Sequence, residues 1–250
     1  MIPTASISNP ALVRDVARYD RAFYGGMAVL LAAMALVGFG PTFYFRSLFG
    51  APPTISGTTV LSPLTLLHGT LFSAWMILFI VQTSLIATRR VAVHRRLGVA
   101  GAVMAGLMVI AGLSTAVASA GRGSGPPGID PLSFLAIPAM DMVLFAGFVT
   151  TAIVKRRDKD AHKRLMLLAY ISIIAAATAR MPGVFPYGPL AFFGIGYGVS
   201  LLGPAYDYWS RGRVSRVYIW GIAVLVLSVP LRLALSSTSA WHSFAEFITR

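Results

Sequence analysis

The chain has 250 residues, of which 56% are hydrophobic and 12% charged, and its mean hydropathy is +0.75. Soluble domains carry about 25% charged residues, so this composition excludes an ordinary soluble enzyme and points to a polytopic membrane protein. The net charge of +13 is gathered into short clusters between apolar runs, which argues against a nucleic-acid partner, and the absence of Cys excludes disulfides, thiolate metal sites and CxxCH haem attachment.

The N-terminal arm, residues 1–23, is polar and mixed in charge, and it lacks the apolar core of a cleavable signal peptide. About 20 apolar residues cross the hydrocarbon core as a helix. Seven segments meet that length, at 24–47, 61–88, 97–119, 132–154, 163–184, 187–209 and 217–236, and a short amphipathic tail covers 237–250. The expected fold is therefore an all-α, seven-helix membrane protein whose principal partner is the lipid bilayer. Sixteen Lys and Arg residues fall on the side of the N-terminal arm and the 2–3, 4–5 and 6–7 loops, against five on the other side. The positive-inside rule then puts the N-terminus in the cytoplasm and the C-terminus outside. The outer loops "GAPPTISGTTVLSP" and "GRGSGPPGIDP" are rich in Gly, Pro and Ser and read as irregular caps.

Helix 2 contains "HGTLFSAWMILFIVQ", in which His68, Trp75 and Gln82 stand at seven-residue intervals. Nearly two helical turns separate successive members, so all three share one stripe, which should face the bundle and not lipid. Such a stripe serves either as interhelical glue or as one wall of a ligand site. Asp141 lies ten residues into helix 4 and His68 five residues into helix 2, a difference in depth of only about 8 Å. A bare carboxylate there is costly, so Asp141 should be protonated or paired, with His68 as its partner if helices 2 and 4 are neighbours. Arg180 and Arg232 fall near the outer ends of helices 5 and 7. They either snorkel to headgroups or join His68, Asp141 and Tyr197 in an outward-facing polar pocket for an anionic or quinone-like molecule, with Ser73 adding a hydroxyl. Asp207, at the inner end of helix 6, is expected to pair with a loop arginine.

Sliding the chain by 68 residues sets "SPLTLL" on "DPLSFL" and "HRRLG" on "HKRLM", and a weaker third copy runs from "GPLAFF" to "SRVYI". The chain thus reads as one leading helix and three related hairpins, at about 61–119, 130–184 and 187–236. Parallel repeats commonly place ligand sites between copies. His94 and His162 occupy the same position in two copies. They are either interfacial residues ending a basic loop, or two imidazoles at matched depth that ligate a metal or haem b.

The only lysines are Lys155, Lys159 and Lys163, all in one loop, so a retinal Schiff base in the last helix is excluded. His68 has no second intramembrane His at its depth, which argues against a seven-span zinc hydrolase. The set His68–Trp75–Gln82, "HRRLG", "DPLSFL" and "HKRLMLLA" resembles an uncharacterised family of bacterial multi-span inner-membrane proteins, over helices 2 to 7. That resemblance implies the architecture and a bacterial inner-membrane location, and no established activity. The family pattern has a His-Pro pair after the last basic loop, where this chain has Ser215-Arg216. The "HRRLG" element also resembles cytochrome b561-type proteins, whose full set of paired intramembrane His is missing here.

Three functions remain open at this level. The first is a non-enzymatic protein that binds a small molecule or cofactor, or serves as an accessory subunit of a membrane complex. The second is a haem- or metal-containing redox protein. The third is a small-molecule or proton transporter, against which no span looks broken at mid-membrane, although Pro138 and Pro204 could kink helices 4 and 6. The Gly- and Ala-rich helix 3 permits close contact within or between chains, so a homo-oligomer is also open.

Overall fold

The computed structural model describes residues 10–55 and 57–250, with side chains from residue 18 onward. Most of the expected N-terminal arm, Arg14 included, therefore lies outside the described side chains. Every regular element among the described residues is helical. Five helices are long and apolar enough to cross a membrane: Arg18–Tyr44, Pro63–Ala87, Val91–Gly121, Pro131–Val154 and Arg216–Ser236.

The first of these comprises α1 (Pro10–Phe39) and a π-helical turn at Gly40–Tyr44 that carries Pro41. Helices α2 (Pro63–Ala87) and α4 (Pro131–Val154) start alike, with proline at the first position and a capping side chain before it. Ser62 Oγ accepts from the Thr65 amide and Asp130 from the Ser133 amide, which satisfies donors that a helix start leaves open. Between them runs α3 (Val91–Gly121), which carries "HRRLG" in its first turns. Helix α9 (Arg216–Ser236) is capped by Ser215, and α10 (Ser239–Thr249) folds back onto α3 and α4. There the Trp241 indole N–H donates to the Leu132 carbonyl at 2.8 Å.

The stretches 163–184 and 187–209 differ from expectation, because neither is a continuous helix. The first divides into α5 (Lys159–Ser172) and the single turn α6 (Ala175–Thr178). The second divides into α7 (Pro189–Gly198), a 3₁₀ turn at Val199–Leu201, and α8 (Leu202–Arg211). Physical causes are local. Ser172 Oγ donates to the Ala169 carbonyl just before the β-branched pair Ile173-Ile174, and such back-bonding bends helices. Pro204 has no N–H for the carbonyl four residues earlier, so the chain tightens to 3₁₀ before it. The expectation that no span is interrupted is corrected by both breaks.

Helix α5 is the hub. It packs against α1, α4, α7 and α9, and Leu165, Leu167–Ser172 and even Arg164 are buried. The outer helices show the reverse distribution, with large apolar side chains such as Val103, Ile110 and Leu227 more than 60% exposed at mid-helix. A water-soluble surface rarely presents such a continuous apolar belt, whereas a lipid-facing one requires it. Helices α1 and α6 touch backbone to backbone at Gly38, where any Cβ would fall 2.1 Å from the Ala177 carbonyl oxygen.

Candidate functional site

The stripe on α2 faces the bundle as expected. Trp75 is 3% exposed and meets Phe145 of α4 edge to face at 5.1 Å. What distinguishes the stripe is unmet polarity. Five buried side-chain polar atoms have no protein partner among the described residues: His68 Nδ1, Trp75 Nε1, Gln82 Oε1, His94 Nδ1 and the Tyr170 hydroxyl. Three belong to α2, and Tyr170 packs on Phe79 of α2 at 5.1 Å. From His68 to Gln82 the seam runs about 21 Å along the helix. Each unmade bond costs about 1–3 kcal/mol, so a row of them marks a place where water, an ion or a ligand completes the polarity.

At the end carrying the basic loops, the seam reaches His94 and His162. The His94 and His162 rings stand with centroids 6.4 Å apart and planes at 85°. His162 Nδ1 bonds the Ala152 carbonyl at 2.8 Å, which fixes the ring and leaves Nε2 free. The Gln82 main-chain carbonyl lies near the His94 ring, but no well-formed hydrogen bond reaches the buried Nδ1. Gln82 Nε2 also lies 3.8 Å from the position of a Cβ on Gly98, one turn beyond His94. Gln82, His94 and His162 therefore form one cluster where α2, α3 and α5 converge.

At the other end the expected pocket of His68, Asp141, Arg180, Tyr197 and Arg232 divides in two. Asp141 pairs with Arg232, not with His68: Arg232 Nη1 donates to Asp141 Oδ1 at 2.5 Å, in a pair that is 0% and 7% exposed. The remaining guanidinium hydrogens go to Ser228 Oγ at 2.9 Å, the Tyr197 hydroxyl and the Ser228 carbonyl, each at 3.2 Å, and the Ile137 carbonyl at 3.4 Å. All five N–H donors are thus engaged, and the guanidinium also lies 4.6 Å over the Phe193 ring. The Tyr197 hydroxyl stands 3.5 Å from Asp141 Oδ1 and 3.4 Å from the Ser172 carbonyl beside the break in α5. This is a closed knot joining α4, α5, α7 and α9, with no donor of Arg232 left for a ligand.

His68 and Arg180 form the second part, against α1. Arg180 donates to the Ala176 carbonyl at 2.6 Å and lies 4.8 Å over the Phe39 ring. It has no carboxylate partner among the described residues, and its charge acts on the His68 imidazole, which packs 4.2 Å from Phe72. Ser73 does not join this group. Its hydroxyl bonds Tyr44 at 2.8 Å and its own helix at Gly69.

The basic end is fixed by a network that sequence reasoning found only in part. Asp207 does pair with an arginine, Arg164, through bonds of 2.9 and 2.6 Å, and it accepts from the Ser215 amide at 3.1 Å. Asp20 of α1 was not foreseen. It takes Lys163 at 2.6 Å, Arg211 at 2.5 and 2.7 Å, and the Tyr206 hydroxyl at 2.7 Å. Outside the apolar segments, Asp160 is partly buried, which raises its pKa, but ion pairs with Lys163 and Arg164 outweigh this and hold it below the ordinary value. The available signal for Asp20 was scarcity, since the chain has only 8 acidic residues and two of them, Asp15 and Asp20, sit inside the basic N-terminal run.

No family model, curated protein or solved structure matches this chain.

Proposed function

We propose that this chain is a seven-span, cofactor-binding protein of a bacterial inner membrane, which holds a metal-centred group between His94 and His162, with haem b as the group. Its N-terminus lies in the cytoplasm, and the α5–α6 and α7–α8 pairs count as two interrupted spans. The kinship to the bacterial inner-membrane family carrying "HRRLG" and "HKRLM" belongs to the same reading.

The separation of the two imidazoles carries the proposal. A metal–nitrogen bond of about 2.0–2.1 Å, extended by the depth of each ring, would allow two imidazoles with centroids about 6 Å apart to hold one metal. The observed 6.4 Å falls at that spacing. The bond from His162 Nδ1 to the Ala152 carbonyl is the outer-shell contact that ligating histidines make to fix tautomer and direction. Arg95 and Arg96 beside His94 are exposed and have no acidic partner among the described residues, so they offer cations to the carboxylates a haem carries. Bound there, haem supplies one-electron exchange near the cytoplasmic face. The chain's own part is to aim two imidazoles, exclude lipid and present the polar seam along α2.

Protein purified in mild detergent and titrated with haemin tests this by absorption. A Soret band that saturates at one haem per chain and shifts on reduction is expected, and its absence from both the purified and the titrated protein overturns the proposal.

A second reading concerns the outer end. Arg180 is an intramembrane arginine without a carboxylate, beside an imidazole with a buried unpaired nitrogen. It suits the carbonyl or anionic oxygens of a quinone-like ligand. Ubiquinone-1 should raise the melting temperature of the protein but not that of Arg180→Ala. An equal shift in both removes this second site.

A further inference from the structure

An apolar groove of about 430 Å³ runs down the outside of the bundle between α4 and α9, floored by α5. On α4 its wall is Val143, Gly147, Thr151 and Lys155, and on α9 it is Arg216 and Trp220. From Val143 to Lys155 is twelve residues, or about 18 Å of helix, close to the roughly 15 Å depth of one leaflet's hydrocarbon. Both cations stand at the same end, Lys155 just past the last turn of α4 and Arg216 in the first turn of α9. Neither has an acidic partner among the described residues. The nearest acids in sequence are already used: beside Lys155, Asp158 caps α5 through the amides of residues 160 and 161 and Asp160 pairs with Lys163 and Arg164, while Asp207, nearest to Arg216, pairs with Arg164.

We propose that this groove is a specific site for an anionic phospholipid. One acyl chain lies along the α4–α9 cleft, with Trp220 flanking it at the interface, and the phosphate is held by Lys155 and Arg216. A groove for generic annular lipid has no need of two unpaired cations at one mouth. A site for a soluble anion has no need of about 18 Å of apolar channel. Basic pockets between membrane helices on the cytoplasmic side bind anionic headgroups for this reason.

Gly147 makes the proposal testable without damaging the fold. A Cβ there meets nothing within 4 Å, so a leucine projects into the groove and not into the core. Native mass spectrometry of the detergent-purified protein, offered equimolar phosphatidylglycerol and phosphatidylcholine, should show one phosphatidylglycerol retained per chain. Gly147→Leu should abolish that retention at unchanged melting temperature. The double variant Lys155→Ala/Arg216→Ala should weaken it roughly thirtyfold, the loss expected for two interfacial cations. Equal retention by the wild type and both variants, or equal retention of the two lipids by the wild type, overturns the proposal.

Discussion

Arg232 and Asp141 illustrate how much a single buried pair can hold at the scale of residues. The guanidinium is fully buried and every hydrogen it owns is used. Removing one partner leaves an uncompensated charge in an apolar interior, at a cost of about 3–5 kcal/mol. Asp141→Ala should therefore lower the melting temperature in detergent sharply, and Arg232→Met should do the same. The double variant Asp141→Leu/Arg232→Met should recover most of the loss. If the double variant keeps full stability but loses a bound ligand, the knot is more than structural. Sequence reasoning placed His68 and Asp141 within about 8 Å of each other in depth, which was legible because depth follows from counting residues after Pro63 and Pro131. Direction around the helix was not, because the break in α5 and the insertion of α7 decide which faces meet. Asp141 consequently turns toward α9 and α7, while the charge acting on His68 is that of Arg180.

Among elements, the broken helices carry the main physical lesson. A break exposes backbone carbonyls that lipid cannot satisfy, and here Tyr197 reaches the Ser172 carbonyl while also accepting from Arg232. Tyr197→Phe should cost about 1–2 kcal/mol, since it removes a hydroxyl serving both partners. Full stability in that variant on thermal melting would mean that the contact is incidental. The α1–α6 crossing is stricter still. Gly38→Val places side-chain carbon on the Ala177 backbone and should prevent folding, while Gly147→Val, facing open space, should not.

The start of α4 supplies a pH dependence. The Ser133 amide holds the exposed Asp130 carboxyl below its ordinary value. A depressed carboxyl stabilises while ionised, so its contribution is complete above the ordinary carboxylate range and is lost as pH falls through the folded value. Melting temperature followed into that acidic range should therefore drop less in Asp130→Asn than in the wild type.

Considered as a whole molecule, the chain was most readable where the membrane itself imposes the pattern. Apolar runs revealed the long helices, and the prolines opening α2, α4 and α7 lie where the sequence set them. The rings of His94, on α3, and His162, on α5, stand 6.4 Å apart. What sequence could not convey was interruption: the 163–184 and 187–209 segments look like ordinary spans because their apolar content is continuous while their hydrogen bonding is not. The proposed orientation has a simple check, because the chain has no native cysteine. Ser124→Cys should react with a membrane-impermeant maleimide added to intact cells, and Lys159→Cys only after permeabilisation. The reverse pattern inverts the topology.

The paired-imidazole centre is the central claim, and metal stoichiometry across four proteins measures it most directly. Wild type and His68→Ala, purified in parallel after haem-replete growth, should each carry about one iron per chain, because His68 lies on the outer part of the seam. His94→Ala and His162→Ala should each carry almost none while keeping the helical content of the wild type. Equal iron in all four proteins, or none in the wild type, contradicts the account.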